Sequence, residues 1–286
     1  MQYWIIQTLN SLALGGLLFL LASGFSLIFG LMRIANLTHG SLYMLGAYVG
    51  VTVLKLVPSL WAAALIGGLV IAVLGGLMER LILRALAGNA LGQVLVTLGV
   101  SFIVADLCLV VWGGDPIPVP TPAALQQPLL VGGVAFPTYR LAVLAIAIVT
   151  AIALYLLMER TRIGAMIRAG VDDMQMARAL GIPVSRLFTA VFCLGAGLAG
   201  GGGIIGGPIM SAYPGLDADM LPLALIVVML GGVGSLLGAF VGSFLIGAVY
   251  TFGTALLPDL AYVILFLPMI VVIAFRPRGL FGRQSV

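Results

Sequence analysis

Nine apolar stretches follow one another along the 286-residue chain, and they constrain its fold more than any other feature. Most have the length of about 17–25 residues that an α-helix needs to cross the hydrocarbon core of a bilayer. Apolar residues make up 62% of the chain and charged residues only 8%. We therefore predict an all-α fold, a polytopic transmembrane helical bundle. The stretches are 9–32, 34–55, 60–78, 93–112, 141–157, 187–207, 219–231, 235–256 and 260–275.

No polar segment between these stretches is long enough to fold separately, so residues 1–286 are predicted to form a single domain. The stretch 219–231 is short and contains Pro222, which favours a tilted half-helix that runs into the turn GGVGS at 231–235. The two cysteines both fall inside apolar stretches, so the sequence suggests neither a disulfide nor a metal pair.

The distribution of positive charge predicts the orientation of the bundle. If the N-terminus lies outside and the spans alternate, all 13 Lys and Arg residues except Lys55 and Arg140 fall on the cytoplasmic side. This agrees with the positive-inside rule. We therefore expect an odd number of crossings among about eight to ten candidate spans, with the C-terminus in the cytoplasm. Because the positive residues lie in short loops, we expect contact with membrane lipid and none with nucleic acid.

The sequence lacks the motifs of an enzyme that would act alone. A Walker A motif needs a Gly-Lys pair, whereas the only lysine, Lys55, follows Leu54. The single histidine, His39, has no second histidine with which to bind a metal, and Asp106 is the only acid well inside a predicted span. We predict no catalytic residue, no metal site and no cofactor in this chain.

Charge is concentrated in one loop, where residues 168–182 read RAGVDDMQMARALGI. The pattern predicts a short helix over 171–180, with Asp172 and Asp173 in its first turn and Arg178 in its last, as the helix dipole favours. Gly181 would follow the helix and Pro183 would end it. Apolar residues fall on two sides of this helix, which favours contact with both the spans and a protein partner. A solvated loop that only anchors the topology is the alternative.

The chain resembles the permease subunits of ABC importers, specifically the branched-chain amino acid permeases. The resemblance rests on ERTRIGAMIRAGVDDMQMARALGIPVSRL at 159–187, IANLTHGSLYMLGAYVG at 34–50, ALIVVMLGGVGSLLGAFVGSFLIGA at 224–248 and FRPRGLFGR at 275–283. These motifs span most of the chain and keep the order that they have in the family. They are specific to the family and much less so to the substrate.

The resemblance implies that residues 158–186 form a cytoplasmic coupling loop. Its short helix, at 170–181, would dock into a cleft of an ATPase subunit and transmit nucleotide-driven closure to the spans. The residues carried over for ATPase coupling are Gly170, Asp172, Asp173, Met174, Arg178 and Gly181.

The partners implied are ABC ATPase subunits that bind ATP and Mg, a second, homologous permease subunit and an external substrate-binding protein. The implied location is the bacterial inner (plasma) membrane, and the implied substrates are leucine, isoleucine and valine. Urea and short-amide permeases look similar and remain an alternative. A secondary transporter that couples to an ion through Asp106 and His39 is the alternative from a different class.

Two places within the spans are candidates for the substrate pathway or its gate. Asn36, His39 and Gly40 begin the second stretch, where the family carries a similar element. They would either line the inner end of the pathway or cap the helix and bond to a neighbour, and the structural role is slightly favoured. Asp106 would either attract a substrate ammonium or pair with Arg140, and the pairing is favoured because it needs no ligand.

A run of glycines at 200–203 is a candidate hinge. Each glycine weakens a helix by up to about 1 kcal/mol relative to alanine, so a cluster favours a kink. The residues predicted to form this hinge are Gly200, Gly201, Gly202 and Gly203.

Overall fold

The computed structural model describes residues 2–32, 36–131 and 133–282, and within them the chain is almost entirely helical. Each of the nine predicted apolar stretches carries one helix, and two further helices, α6 and α7, occupy the charged loop. The helices are α1 (Gln2–Met32), α2 (Thr38–Leu56), α3 (Leu60–Met78), α4 (Ala90–Trp112), α5 (Thr138–Arg160), α6 (Arg162–Asp172), α7 (Met174–Ala179), α8 (Val184–Met210), α9 (Leu216–Gly231), α10 (Leu236–Leu256) and α11 (Ala261–Phe275).

Short elements join some of these helices. A π-helical turn (Glu79–Leu83) and a 3-10 turn (Arg84–Leu86) extend α3, and another 3-10 turn (Pro258–Leu260) precedes α11. Between α4 and α5 a 3-10 turn (Ala123–Leu125) leads into an antiparallel hairpin of β1 (Pro128–Val131) and β2 (Val134–Pro137). This connection bonds to the turn that follows α8, because Ile117 and Ala212 form a bridge.

Among the described residues, six helical segments are long and apolar enough to cross a membrane. They are Gln2–Gly30, Leu60–Leu86, Ala90–Trp112, Thr138–Arg160, Val184–Met210 and Leu236–Leu256. The prediction of a polytopic helical membrane protein is therefore confirmed at this level. The other apolar helices are shorter or more polar: α9 has 16 residues and contains Pro222, and α2 begins with a polar turn.

The two longest helices, α1 and α8, organise the interior. Helix α1 packs against α5, α8, α9 and α10, while α8 also packs against α2 and α3. Helix α2 lies among α3, α4, α8 and α9, so its first half is buried. In contrast, α4 and α5 expose most of their apolar side chains on the outside of the bundle.

Glycines allow α2 and α8 to approach until their backbones touch. Gly46 lies against the backbone of Gly200, and a Cβ atom at Gly203 would clash with the carbonyl oxygen of Tyr43. Helix α8 runs unbroken through residues 200–203, so these glycines serve close helix packing in this structure. The hinge remains a prediction for them.

Candidate functional site

The charged loop contains two helices rather than the single helix predicted over 171–180. Helix α6 ends at Asp172, and Asp173 takes an extended conformation before α7 begins. The Asp173 Oδ1 atom accepts hydrogen bonds from the N–H groups of Gln175 and Met176, both at 2.9 Å. Aspartate is strongly favoured as an N-cap, which explains the break. The placement of both aspartates in one first turn is therefore wrong, because Asp172 ends α6 and Asp173 caps α7.

The end of α7 agrees with the prediction. Arg178 lies in the last turn, and Gly181 takes a left-handed conformation with a φ of +81°. The N–H of Gly181 donates to the Arg178 carbonyl, and the N–H of Ile182 donates to the Ala177 carbonyl, each at 3.0 Å. These two bonds form a Schellman motif, which satisfies carbonyl groups at the end of the helix. Pro183 then precedes the first residue of α8.

The α6–α7 segment buries little of its side-chain surface. Gly170 and Ala177 are buried, whereas the three charged candidates Asp172, Asp173 and Arg178 are exposed and Met174 is half-buried. Three large apolar side chains are also exposed: Ile163 on α6 by 49%, and Met176 by 58% and Leu180 by 73% at α7. Apolar side chains beside exposed charges are typical of the surface that a protein partner covers. The exposed residues Asp172, Asp173, Met176, Arg178 and Leu180 are called the coupling surface below.

A half-buried ion pair at the end of α3, between Glu79 and Arg84, makes hydrogen bonds to the start of α8, directly after this segment. Glu79 is only 2% exposed and accepts hydrogen bonds from the Arg84 guanidinium at 3.0–3.3 Å. The Thr189 hydroxyl donates to Glu79 Oε2 at 2.7 Å, and Arg84 also donates to the Ser185 carbonyl oxygen at 3.1 Å. Because Ser185 and Thr189 lie in the first turns of α8, a displacement of α7 can reach both α8 and α3 through these bonds.

Sequence reasoning missed both the Glu79–Arg84 ion pair and the hydrogen bond from Thr189 to Glu79. Glu79 and Thr189 are 110 positions apart, so only the fold brings them together. The sequence did offer a signal for the ion pair, since Glu79 and Arg84 lie five positions apart at the end of an apolar stretch.

The structure brings Asn36, His39 and Gly40 together at the start of α2, inside the bundle. The Thr38 N–H donates to Asn36 Oδ1 at 3.2 Å, and the His39 N–H donates to the Asn36 carbonyl at 3.1 Å. His39 Nε2 lies 3.0 Å from the Leu21 carbonyl on α1. A carbonyl oxygen only accepts, so Nε2 is the nitrogen that carries a proton in this contact.

Asn36 and His39 are at most 1% exposed; Asn36 bonds to the first turn of α2, and His39 bonds to the neighbouring helix α1. Among the described residues, Asn36 Nδ2 and His39 Nδ1 have no hydrogen-bond partner. Both the structural role and the pathway role therefore remain predictions for these residues.

Further polar side chains from two other helices meet α2. The Thr38 hydroxyl donates to the Thr97 carbonyl on α4 at 2.8 Å. The Ser41 hydroxyl lies 2.7 Å from that of Ser101 on α4 and 3.1 Å from Asp217 Oδ2 on α9. Sequence reasoning did not single out Thr97, Ser101 or Asp217. The group is called the polar junction below and consists of Asn36, Thr38, His39, Ser41, Thr97, Ser101 and Asp217.

Gly40 lets α9 lie against the polar junction. A Cβ atom at this position would stand 2.8 Å from both the carbonyl oxygen of Asp217 and the Cβ of Leu221. These are closer than ordinary Cβ contacts, so the first turn of α9 can approach α2 only because residue 40 is glycine. A role for Gly40 in the substrate pathway or its gate remains a prediction.

The predicted pairing of Asp106 with Arg140 is wrong. Arg140 on α5 donates a hydrogen bond to Asn10 Oδ1 on α1. Asp106 lies on the outer surface of α4, where it is exposed beside the apolar side chains of Phe102, Ile103 and Val110. The pairing fails because α4 packs chiefly on α2, whereas α5 packs on α1. Asp106 is exposed on α4, whereas His39 is buried inside the bundle, so the two residues lie in different surroundings.

The structure offers no geometry for a resident metal within residues 2–32, 36–131 and 133–282. No three His, Cys, Asp or Glu side chains of this part of the chain come together where they would hold an ion.

Comparison with known proteins returns one family. Residues 7–273 match the family described as the permease component of branched-chain amino acid transport systems. The high-affinity branched-chain amino acid transport system permease protein BraD of Pseudomonas aeruginosa is 27% identical, over 99% of this chain and 97% of its own length. The corresponding protein LivH of Escherichia coli K12 is 26% identical, again over 99% and 97%. No solved structure shows significant similarity to the chain.

Proposed function

The chain belongs to the family of permease components of branched-chain amino acid transport systems, and we propose that it is the permease subunit of an ATP-driven ABC importer. It forms half of the translocation pathway for branched-chain or related hydrophobic amino acids. The observation that carries this proposal is the match to named permeases along nearly the whole of both chains. ATP and Mg bind to a separate ATPase subunit.

We propose that α1–α5 and α8–α11 make nine crossings, with the N-terminus outside, in the bacterial inner membrane. Helix directions support this arrangement. Gly46 meets Gly200 and Gly50 meets Ile204, so α2 and α8 run the same way. Gly68 meets Gly197 and Gly76 meets Cys193, so α3 runs against α8. With these directions, α6 and α7 lie on the cytoplasmic side, together with most of the arginines.

The coupling loop at 158–186 docks on the ATPase through the coupling surface. Met176 and Leu180 supply apolar contact, while Asp172, Asp173 and Arg178 supply charges that fix the register of docking. Gly181 ends α7, and Gly170 is buried where α6 meets α8. The Glu79–Arg84–Thr189 contact then transmits a displacement of this segment to α3 and α8.

The outer face of α4 is where a second, homologous permease subunit packs. An ionised carboxylate among exposed apolar side chains at the lipid surface is costly, so the Asp106 face favours cover by protein or by a water-lined pathway. At the boundary between two subunits of a pore, a side chain can be covered by the second subunit and can also face the water-lined pathway. The connection that carries the hairpin lies at the outer ends of α4 and α5, where an external substrate-binding protein docks.

Reversal of the charges on the coupling surface tests this proposal. The triple variant Asp172→Arg, Asp173→Arg and Arg178→Asp should insert and fold but lose uptake of labelled leucine. The control is Arg276→Asp, a reversal at an exposed residue outside the coupling loop, which should retain uptake. Wild-type uptake by the triple variant would contradict the coupling role.

Purification from the native membrane in mild detergent, with mass spectrometry of the associated proteins, tests the assembly. An ATPase and a second permease in stoichiometric amounts are the expected result. A chain that is purified alone and carries solute into liposomes without ATP would instead be a secondary transporter. Competition of leucine uptake by isoleucine, valine and urea then separates the branched-chain substrates from the short amides.

A further inference from the structure

A cavity of about 960 Å³ lies between the π-helical turn after α3, the end of α7 and the first turns of α8. Four arginines line it, and we call it the basic cavity. They are Arg80, Arg84, Arg178 and Arg186. A second cavity, between α1, α5, α8 and α10, is lined by a single arginine, Arg140.

The positive charge of the basic cavity is largely uncompensated. Arg84 pairs with Glu79, whereas Arg80, Arg178 and Arg186 form no ion pair with any described residue. Arg80, Arg178 and Arg186 are all exposed and border the same open space, where their charges would attract an anion. A guanidinium group presents its donors in a fork that suits phosphate oxygens.

The rest of the cavity wall is partly apolar and follows α8 toward the membrane interior; it consists of Pro183, Val184, Ser185, Thr189, Ala190 and Cys193. The lining continues along α8 from Arg186 through Ala190 to Cys193, a rise of about 10 Å at 1.5 Å per residue. On the other side, Leu77 and Leu81 are exposed next to Arg80, at the end of a segment apolar enough to span a bilayer. A basic mouth that opens on an apolar groove suits a molecule with an anionic head and a hydrocarbon chain.

We propose that the basic cavity binds an anionic phospholipid from the membrane face on which α6 and α7 lie. Arg80, Arg178 and Arg186 hold the headgroup phosphate, and an acyl chain lies along Ala190 and Cys193 of α8. A free phosphate would contact the arginines but not the apolar residues of the cavity wall. An acidic protein segment would contact the arginines but would not enter the part of the cavity that lies at the level of the membrane. The bound lipid therefore lies between the coupling surface and the spans. This inference does not depend on the transported substrate.

Retention of lipid by the purified full-length protein tests the proposal. Protein in detergent is mixed with either phosphatidylglycerol or phosphatidylcholine, and native mass spectrometry counts the lipids that remain bound. Wild-type protein should retain phosphatidylglycerol, and phosphatidylcholine should not replace it. The variant Arg80→Gln, Arg178→Gln and Arg186→Gln should bind phosphatidylglycerol about tenfold or more weakly, because charge-assisted bonds to the phosphate are lost.

The matched control carries Arg160→Gln, Arg162→Gln and Arg276→Gln, which remove the same charge from exposed residues outside the basic cavity. It should retain phosphatidylglycerol as the wild type does. Equal retention of both lipids by wild-type protein would overturn the proposal, and this comparison needs no variant to fold.

Two further results would also overturn the proposal. Displacement of the lipid by millimolar inorganic phosphate would mean that the site takes free phosphate. If the cavity variant retained phosphatidylglycerol as the wild type does, the three arginines would not hold the headgroup phosphate.

Discussion

The polar junction and the coupling surface are two regions where polar side chains interrupt this apolar chain, and the fold treats them in opposite ways. Most side chains of the polar junction are buried and bond to α1, α4 and α9. The side chains of the coupling surface are exposed, and Asp173, which caps α7, makes only local hydrogen bonds. Polar side chains of this apolar chain therefore bond inward in one region and face outward in the other, where, we propose, they dock a partner.

The difference has a physical consequence that can be measured. A buried polar group that loses its partner carries a desolvation cost, so changes in the polar junction should lower folding stability. Exposed side chains have water as an alternative partner, so changes in the coupling surface should leave stability nearly unchanged. The four predictions below are ordered by their expected effect on stability.

The largest effect is expected at the glycine contact that holds α2 against α8. Gly203→Val should lower the free energy of unfolding by about 3 kcal/mol or more, because its Cβ would clash with the backbone of Tyr43. The control is Gly99→Val on the outer face of α4, where a Cβ would meet no atom within 4 Å. Thermal unfolding in detergent measures both. A Gly203→Val protein that is as stable as the control but inactive would favour the hinge over close packing.

A smaller loss is expected inside the polar junction. Ser41→Ala removes the hydroxyl that lies between Ser101 and Asp217, and should cost about 1–2 kcal/mol because Asp217 loses a donor. Ser243→Ala is the matched control, since Ser243 is also fully buried but bonds only to the Phe240 carbonyl in its own helix. If both variants unfold at the same temperature, the polar junction does not join α2 to α4 and α9 energetically.

His39 tests whether the polar junction serves only structure. In His39→Gln an amide N–H can still donate to the Leu21 carbonyl, so the loss of stability should stay below about 1 kcal/mol. If His39 only packs, uptake and substrate affinity should also be retained. A His39→Gln protein that unfolds like the wild type but transports poorly would place His39 in the substrate pathway, where its unpartnered Nδ1 would become relevant.

Features that depend on one helix or one turn could be predicted from the sequence. Apolar length located all nine large helices, and Gly181 with Pro183 predicted where α7 ends. The break at Asp173 was missed because an acid pair suits both a first turn and an N-cap, and the pattern does not choose between them.

Features that depend on which helices are neighbours could not be predicted. The proposed Asp106–Arg140 pair assumed that successive spans lie side by side, whereas α4 packs chiefly on α2 and α5 on α1. The Glu79–Thr189 hydrogen bond could not be predicted either, because it joins residues 110 positions apart and depends on the contact between α3 and α8.

The smallest effect on stability is expected at the coupling surface. The double variant Met176→Ser and Leu180→Ser should change the free energy of unfolding by less than about 0.5 kcal/mol, because both side chains are already exposed. It should nevertheless retain far less ATPase on purification, since apolar contact at the centre of an interface contributes much of its affinity.

Phe281→Ser is the control for this variant, because Phe281 is 46% exposed and lies after α11, outside the coupling loop. It should leave both stability and ATPase association unchanged. If the double variant instead unfolds at a clearly lower temperature, the exposed face of α7 packs within the chain. The contrast between an inward-bonded polar junction and an outward-facing coupling surface would then be wrong. If stability and ATPase association are both unchanged, docking depends on the charges of Asp172, Asp173 and Arg178 alone.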